Sequence, residues 1–430
     1  MAAGPVPGAL LPETAEIDAA GRLSVGGVDL VDLADRLGTP LFVYDELHLR
    51  RRCREAVAAF GDGVAYGSKA FGCLAMAQLA AEEGMCLDVA TGGELHVALA
   101  AGVAAARLVL HGNNKSDAEL ARAIELGAKV VVDSFDELDR LDALLAEGFG
   151  RPPLPLRVLV RVTPGIEAHT HEFVRTGQVD SKFGFGLESG DAGRAVARVR
   201  ATEGMRLIGV HLHIGSQIFA LDSFERAVEV MAGFVAPLDV EELCVGGGLG
   251  VAYVAGEQAP TITDWARAVR GACRSAGIDA RVTAEPGRAI AATAGLTLYR
   301  VGTVKDVPGV RTYVSVDGGM SDNPRPVLYG SGYETFLPRA TDAPRPWRVS
   351  VVGKHCESGD VVVRDADVPA DLAVGDVLCT PVTGAYGHSM ASNYNKVPRP
   401  AVVFVRNAEA RVVVRRETES DLIRLDESLR

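Results

Sequence analysis

From about residue 63 the chain alternates short β-branched runs with amphipathic segments, and this alternation narrows the possible folds more than any other feature. Eight runs are readable: GVAYGS (63–68), CLDVA (86–90), RLVLH (107–111), KVVVD (129–133), LRVLVRV (156–162), LIGVHLH (207–213), ELCVGG (242–247) and ARVTAE (280–285). Between them, AELARAIELG (118–127) and DELDRLDALLAEG (136–148) carry apolar residues at helical spacing, and each ends in Gly, a common C-cap. Such runs, buried on both faces, suit parallel strands under helices. Eight βα units in about 240 residues predict an α/β fold, a (β/α)8 TIM barrel. An open doubly wound sheet is the alternative that the same pattern permits.

The polar residues favour the barrel, because they gather at the ends of the runs. Lys69 follows the first, Asp88 lies in the second, His111 ends the third and Asp133 the fourth. Arg161 lies near the end of the fifth, His211 and His213 end the sixth, Gly246–Gly248 the seventh and Glu285 the eighth. The C-terminal strand ends of a TIM barrel form its active-site mouth. After about residue 290 the pattern changes to strand-like runs broken by Pro, Gly and Asp: LTLYRVGTV, RTYVSVD, RVSVVG, DVLCT, AVVFVR and ARVVVRR. They predict a mostly antiparallel β domain, sandwich-like or barrel-like, which the strand-like residues from Ile17 to Val43 can join. The expected division is a barrel over 45–293 and a β domain from 1–44 and 294–430.

Composition narrows the partners. A formal net charge of -12 over 430 residues argues against nucleic acid and anionic membrane. The seven cysteines (Cys53, Cys73, Cys86, Cys244, Cys273, Cys356 and Cys379) are odd in number and form no CxxC pair. A disulfide framework or structural zinc is therefore not expected, and a reducing, cytoplasmic setting is. The N-terminal MAAGPVPGALLPETAEID reads as a Pro/Gly-rich arm, not a signal peptide, and no run approaches a membrane span.

Several motifs carry chemistry. Lys69 in AYGSKAF is placed to form a Schiff base with an aldehyde cofactor; a solvated surface lysine is the bland alternative. GGGLG (246–250) and EPGR (285–288) follow runs seven and eight, where TIM barrels often bind phosphate. Glycines there let backbone N–H groups approach phosphate oxygens. Glu285 suits a pyridine nitrogen, which a carboxylate keeps protonated so that the ring draws electrons; an ion pair with Arg288 is its structural alternative. In HLHIGSQ (211–217), His211 and His213 are two apart and face one side of a strand, able to stack on an aromatic ring. Zinc ligation with His111 is the rival, and His169 and His171 form a second HxH pair in a loop. Cys356 and Glu357 sit in HCESGD (355–360), where a thiol can act as an acid. Arg325 and Tyr329 in SDNPRPVLYG (321–330) can grip a carboxylate. GAYGHSMASNYN (384–395) has the make-up of a ligand-facing loop.

AYGSKAF, LDVATGGEL, LHGNNKS, EAHTHEF, SKFGFG, HLHIGSQI, GGGLG, EPGRAI, VDGGMSDNPRP, GKHCESGD and GAYGHSMASNYN, in this order over roughly residues 66 to 400, resemble the fold-type III pyridoxal-phosphate decarboxylases with the alanine-racemase-like barrel. Within that family the likeness is to the branch acting on diaminopimelate. The lysine motif departs from the common Y-A-x-K-A-N by Gly67 and Phe71. The resemblance implies pyridoxal 5'-phosphate on Lys69, with His213 on the ring face and Glu285 on the pyridine nitrogen. Asp88, Ser216, Gly247, Gly248, Pro286, Gly287, Arg288 and Tyr386 would complete the cofactor site, without a metal. Arg288, Arg325, Tyr329, Tyr386 and Glu357 would bind meso-diaminopimelate. Cys356 would return a proton in the site of a second subunit, which implies a homodimer with shared active sites. Glu285 speaks against a racemase, which gains from a weaker electron sink. Lys69 and Cys356 speak against a catalytically silent homologue.

Overall fold

The computed structural model describes residues 4–148, 155–166 and 180–429. His169, His171 and the rest of EAHTHEF lie outside the described residues. The chain forms two compact units. One comprises Arg52–Val251 and Ala259–Ala289; the other comprises Met1–Arg51, Ala252–Gln258 and Ile290–Arg430.

The first unit is the barrel. Its strands are β1 (Ala65–Gly67), β2 (Cys86–Val89), β3 (Leu108–Leu110), β4 (Lys129–Val132), β5 (Leu156–Thr163), β6 (Met205–His211), β7 (Glu242–Cys244) and β8 (Arg281–Thr283). Each pairs in parallel with its sequence neighbour. Between β8 and β1 the ring closes through two backbone bonds: Ala65 N–H donates to Ala284 O (3.0 Å) and Gly67 N–H to Pro286 O (3.3 Å). Most of the strands are shorter than the β-branched runs, because the ends of those runs turn out to carry side chains into the mouth.

The connecting helices begin and end where local chemistry dictates. Ser116 and Glu119 form a reciprocal capping box at the start of Asp117–Leu126, and Gly127 ends that helix at φ 65°. Ser134 caps Phe135–Ala146 by accepting from Glu137 N–H.

Side chains two residues apart on a strand share a face, so the barrel interior is layered. Val109, Val131, Leu159 and Ile208 form an apolar cluster. Two residues further along their strands stand His111, Asp133 and Arg161. Two residues before Val131 stands Lys129. It is buried against Glu242, which opens β7, at 2.8 Å. Glu242 also accepts from Arg281 and from Thr283 Oγ1, both at 2.9 Å. The lower end of the barrel is thus plugged by a paired and hydrogen-bonded charge cluster, the form in which a buried charge is tolerated.

The second unit holds two sheets. A small antiparallel one joins Ala15–Ile17, Leu23–Val25 and Val28–Asp29. The larger runs in the order Val361–Val368, Trp347–Val352, Arg311–Val316, Gly295–Val307, Leu41–Asp45, Ala401–Arg406 and Glu409–Val414, with Val377–Pro381 also on Gly295–Val307. Most pairs are antiparallel. Two are parallel: Arg311–Val316 with Trp347–Val352, and Leu41–Asp45 with Ala401–Arg406. The early strand-like residues therefore divide, those near Ile17 into the small sheet and Leu41–Asp45 into the large one.

Two stability measurements test this reading. Glu242→Leu strands a buried ammonium and is expected to cost about 3–5 kcal/mol, seen as a lower urea midpoint, while adding Lys129→Met recovers most of the loss. Gly67 has φ -72°, and a Cβ there would meet Glu285 O and Gly287 Cα at an ordinary 3.5 Å. Gly67→Ala is expected to stabilise by about 0.4–1 kcal/mol by restricting the unfolded chain. A large loss would mean that the barrel seam is tighter than described.

Candidate active site

The mouth of the barrel gathers residues from all eight strand ends. Lys69 stands in a single turn, Ser68–Ala70, directly after β1. Its side chain is exposed between two buried neighbours, and Ser68 Oγ anchors the turn by donating to Asp88 O at 2.6 Å. Phe71, where the family often has Asn, is fully buried, and its carbonyl accepts from Tyr66 Oη at 2.9 Å. Its role is packing, which explains why the departure leaves the lysine turn intact.

Glu285, just past β8, is held by two imidazoles. His111 Nε2 lies 2.8 Å from Oε1 and His211 Nε2 lies 3.0 Å from Oε2. The two rings meet edge to face at 5.0 Å. Burial pushes Glu285 up, but the two histidines outweigh it and hold the carboxyl well below its usual range. Burial lowers His111, but the Asp88 and Glu285 carboxylates reverse this and raise it. His211 is pushed down to about 4, chiefly by burial, and is the neutral member. Asp88, with its Oδ1 3.7 Å from His111 Nε2, is pushed up to about 6 by burial. These contacts replace the ion pair between Glu285 and Arg288 that the sequence allowed. The ligand atoms of His111, His211 and Glu285 also lie within 4.8 Å of one another, a spacing that a metal ion can share.

The sequence places His211 and His213 on one strand face, but β6 ends at His211 and the two histidines part. His213 Nδ1 accepts from Gly247 N–H at 3.2 Å, which leaves the proton of a neutral ring on Nε2. Burial, then Lys69 and Arg161, push His213 well below its usual value. It is an uncharged flat ring, suited to lie against an aromatic face.

Beside it the backbone forms a cradle. A Cβ on Gly246 would lie 2.6 Å from Leu212 O, and one on Gly247 would lie 2.5 Å from Glu285 O. A Cβ on Gly287 would lie 2.8 Å from Gly67 O. Larger residues would close the space that these turns leave open. Gly248 has φ 110°, a conformation that suits glycine. Arg288 Nη2 donates to Ser216 Oγ at 2.9 Å, so a guanidinium and a hydroxyl converge here. Pro286 offers a carbonyl, already bonded to Gly67, and no N–H. An amine, a neutral imidazole, a fixed carboxylate and a cationic, glycine-lined cradle fit pyridoxal 5'-phosphate group by group.

The remaining candidates lie in the second unit. Arg325 is buried, donates to Tyr333 Oη at 2.6 Å and lies 4.2 Å over the Tyr253 ring. Tyr329 ends the same short helix, Arg325–Tyr329, half-buried. Cys356 and Glu357 are exposed. Their turn is braced: Asp360 accepts from His355 N–H (2.9 Å) and Met320 N–H (2.6 Å), and Asn395 Oδ1 from Cys356 N–H (3.3 Å). The other six cysteines are buried. Burial pushes the Cys244 and Cys379 thiols well above their usual value and Cys273 to about 11, which makes them inert. Tyr386 adopts φ 61°, a costly backbone state for a tyrosine and one that tends to mark functional loops.

Sequence reasoning left His111, His211, Asp133 and Arg161 without a role in the cofactor site. Arg161 lies 3.6 Å from Asp133 and 4.4 Å over the Phe183 ring, inside the mouth. The available signal was parity for three of them: His111, Asp133 and Arg161 each lie two residues beyond a buried interior position, Val109, Val131 and Leu159, whereas His211 lies three beyond Ile208, past a register shift in its strand.

Residues 46–292 match the family model described as "Pyridoxal-dependent decarboxylase, pyridoxal binding domain". The chain is 47% identical to the diaminopimelate decarboxylase of Mycobacterium tuberculosis, over 96% of this chain and 97% of the relative. It is 46% identical to that of Bacillus subtilis, over 94% and 95%. Among solved structures it resembles diaminopimelate decarboxylase from M. jannaschii in complex with L-lysine. There the TM-score is 0.88 at 33% identity, over 97% of this chain and 98% of that one. With a cofactor-shaped barrel mouth and likeness along nearly its whole length, the chain belongs to the pyridoxal-dependent decarboxylase family.

Proposed function

We propose that the chain decarboxylates meso-2,6-diaminopimelate to L-lysine and CO2, the last step of lysine biosynthesis by the diaminopimelate route. The observation that carries this reading is the grouping of Lys69, His213, Glu285 and the glycine cradle at one barrel mouth. It occurs in a chain that matches diaminopimelate decarboxylases over nearly their full length. When bound, pyridoxal phosphate supplies an amine-binding carbonyl and an electron-poor ring that accepts the electron pair left by departing CO2.

The chain's own residues do the rest. Lys69 Nζ would hold the cofactor through its aldehyde carbon. His213, kept neutral, covers the ring face without adding charge. Glu285, kept ionised, holds a proton on the pyridine nitrogen. Ser216, Gly247, Gly248, the backbone of Glu285–Arg288 and Tyr386 hold the phosphate and ring, and Asp88 balances the charge on His111. Arg288, Arg325, Tyr329 and Tyr386 bind the distal carboxylate, and Glu357 the distal amine. As the carboxylate leaves as CO2, Cys356 Sγ delivers the proton that replaces it on Cα. Cys356 and Glu357 act in the site of a second copy, in a cytoplasmic homodimer with two shared sites.

Substrate choice follows from charge. Ornithine lacks the distal carboxylate and leaves arginines desolvated and unpaired, a cost of about 2–5 kcal/mol. Purified protein with pyridoxal phosphate is expected to release CO2 and lysine from meso-diaminopimelate and far less CO2 from ornithine. Equal rates would overturn the specificity. Lys69→Ala is expected to lose nearly all turnover together with the absorbance of the lysine-bound cofactor. Cys356→Ala is expected to slow turnover on the order of 10²–10⁴-fold with the cofactor retained. Loss of the cofactor in that variant would remove the proton-donor role.

A further inference from the structure

The contacts of Glu285 go beyond those of a strand-end carboxylate. It takes one imidazole on each oxygen, from His111 after β3 and His211 at the end of β6. All three residues are buried, with His211 1% exposed. A carboxylate oxygen has two lone pairs, so each oxygen that already accepts one N–H can accept another. Two donors on two oxygens fix the carboxylate plane, which a single partner would not. The rings brace each other edge to face, and Asp88 stands behind His111. The clamp is asymmetric: Asp88 and Glu285 favour a charged His111, while burial keeps His211 neutral. His211 thus gives Glu285 a hydrogen bond without a second positive charge beside the site.

We infer that His111 and His211 are positioning residues that act through Glu285, holding its carboxylate ionised and in one plane as a fixed anion for the cofactor's ring nitrogen. The inference rests on the assignment of Glu285 to that nitrogen. Without its two donors, a carboxylate this buried takes up a proton, and a neutral acid no longer selects a protonated ring.

The discriminating probe is 1-deazapyridoxal 5'-phosphate, in which carbon replaces the ring nitrogen. Dissociation constants of this analogue and of pyridoxal 5'-phosphate are measured on apoprotein of the full chain, by absorbance and equilibrium dialysis. His111→Leu and His211→Leu are each expected to weaken pyridoxal phosphate about tenfold and the deaza analogue less than about twofold. His211→Gln, which keeps a donor near the Nε2 position, is expected to restore most of the preference. In a Glu285→Gln background, adding His211→Leu is expected to change nothing further, since residues acting through one group are not additive.

Equal weakening of both ligands would overturn the inference, because a purely structural role predicts it. An additive loss in the Glu285→Gln background would do the same. If Glu285→Gln itself leaves the preference for the ring nitrogen intact, the assignment of Glu285 fails. If that variant abolishes the preference and the leucine variants do not, the positioning role alone fails. Should the leucine variants not fold, His111→Asn and His211→Asn, polar but too short to reach the carboxylate, take their place with the same expected result.

Discussion

Two backbone hydrogen bonds, from Ala65 to Ala284 O and from Gly67 to Pro286 O, join the first barrel strand to the last. The site depends on this seam. Lys69 follows the first strand and Glu285 follows the last, so an open sheet would leave them on opposite edges. The seam also explains the glycines around it. Gly287 passes so close to Gly67 O and the Ala70 side chain that a Cβ would displace one of them. The strand that carries the lysine and the turn that carries the cradle therefore form a single packed unit. Closure satisfies the backbone groups that an edge strand would leave unpaired, and it builds the cofactor site in the same step.

Inside the barrel, charge is sorted by depth. The paired Lys129, Glu242 and Arg281 close the lower end, apolar side chains fill the middle, and the histidines, carboxylates and Arg161 occupy the mouth. The apolar layer keeps the lower charges from competing for Glu285. The mouth charges then act on one another in a poorly solvated space, where each interaction is stronger than in water. That is why two neighbouring histidines can hold opposite protonation preferences. His111 faces two carboxylates, whereas His211 faces one carboxylate and the positive side of its neighbours.

Much of this was legible from residues. β-branched runs announced all eight barrel strands, and reactive residues at their ends announced the mouth. Lys69 and the glycine turns follow the strands that the sequence marked, whereas His213 lies beyond the end of its strand and parts from His211. The partners of Glu285 were not legible, because spacing along the chain does not say which strand ends face each other across a ring. His111 and His211 read in the sequence as ligand-type residues, and only the fold shows that both turn toward one carboxylate. Arg288, a natural mate for Glu285 by proximity in sequence, reaches Ser216 instead. The direction of pairing in the second unit was hidden for a related reason. A run such as LFVYD is equally suited to parallel and antiparallel neighbours, and here Leu41–Asp45 has one of each.

That strand sets an order of events during synthesis. Leu41–Asp45 emerges from the ribosome early, yet its neighbours are Gly295–Leu298 and Ala401–Val405. Every residue of the barrel is made before the first of these partners appears, and the second comes near the end of the chain. A nascent chain can therefore complete its barrel while a mostly apolar strand, Leu41–Asp45, still waits without its partners, an aggregation hazard until they are made.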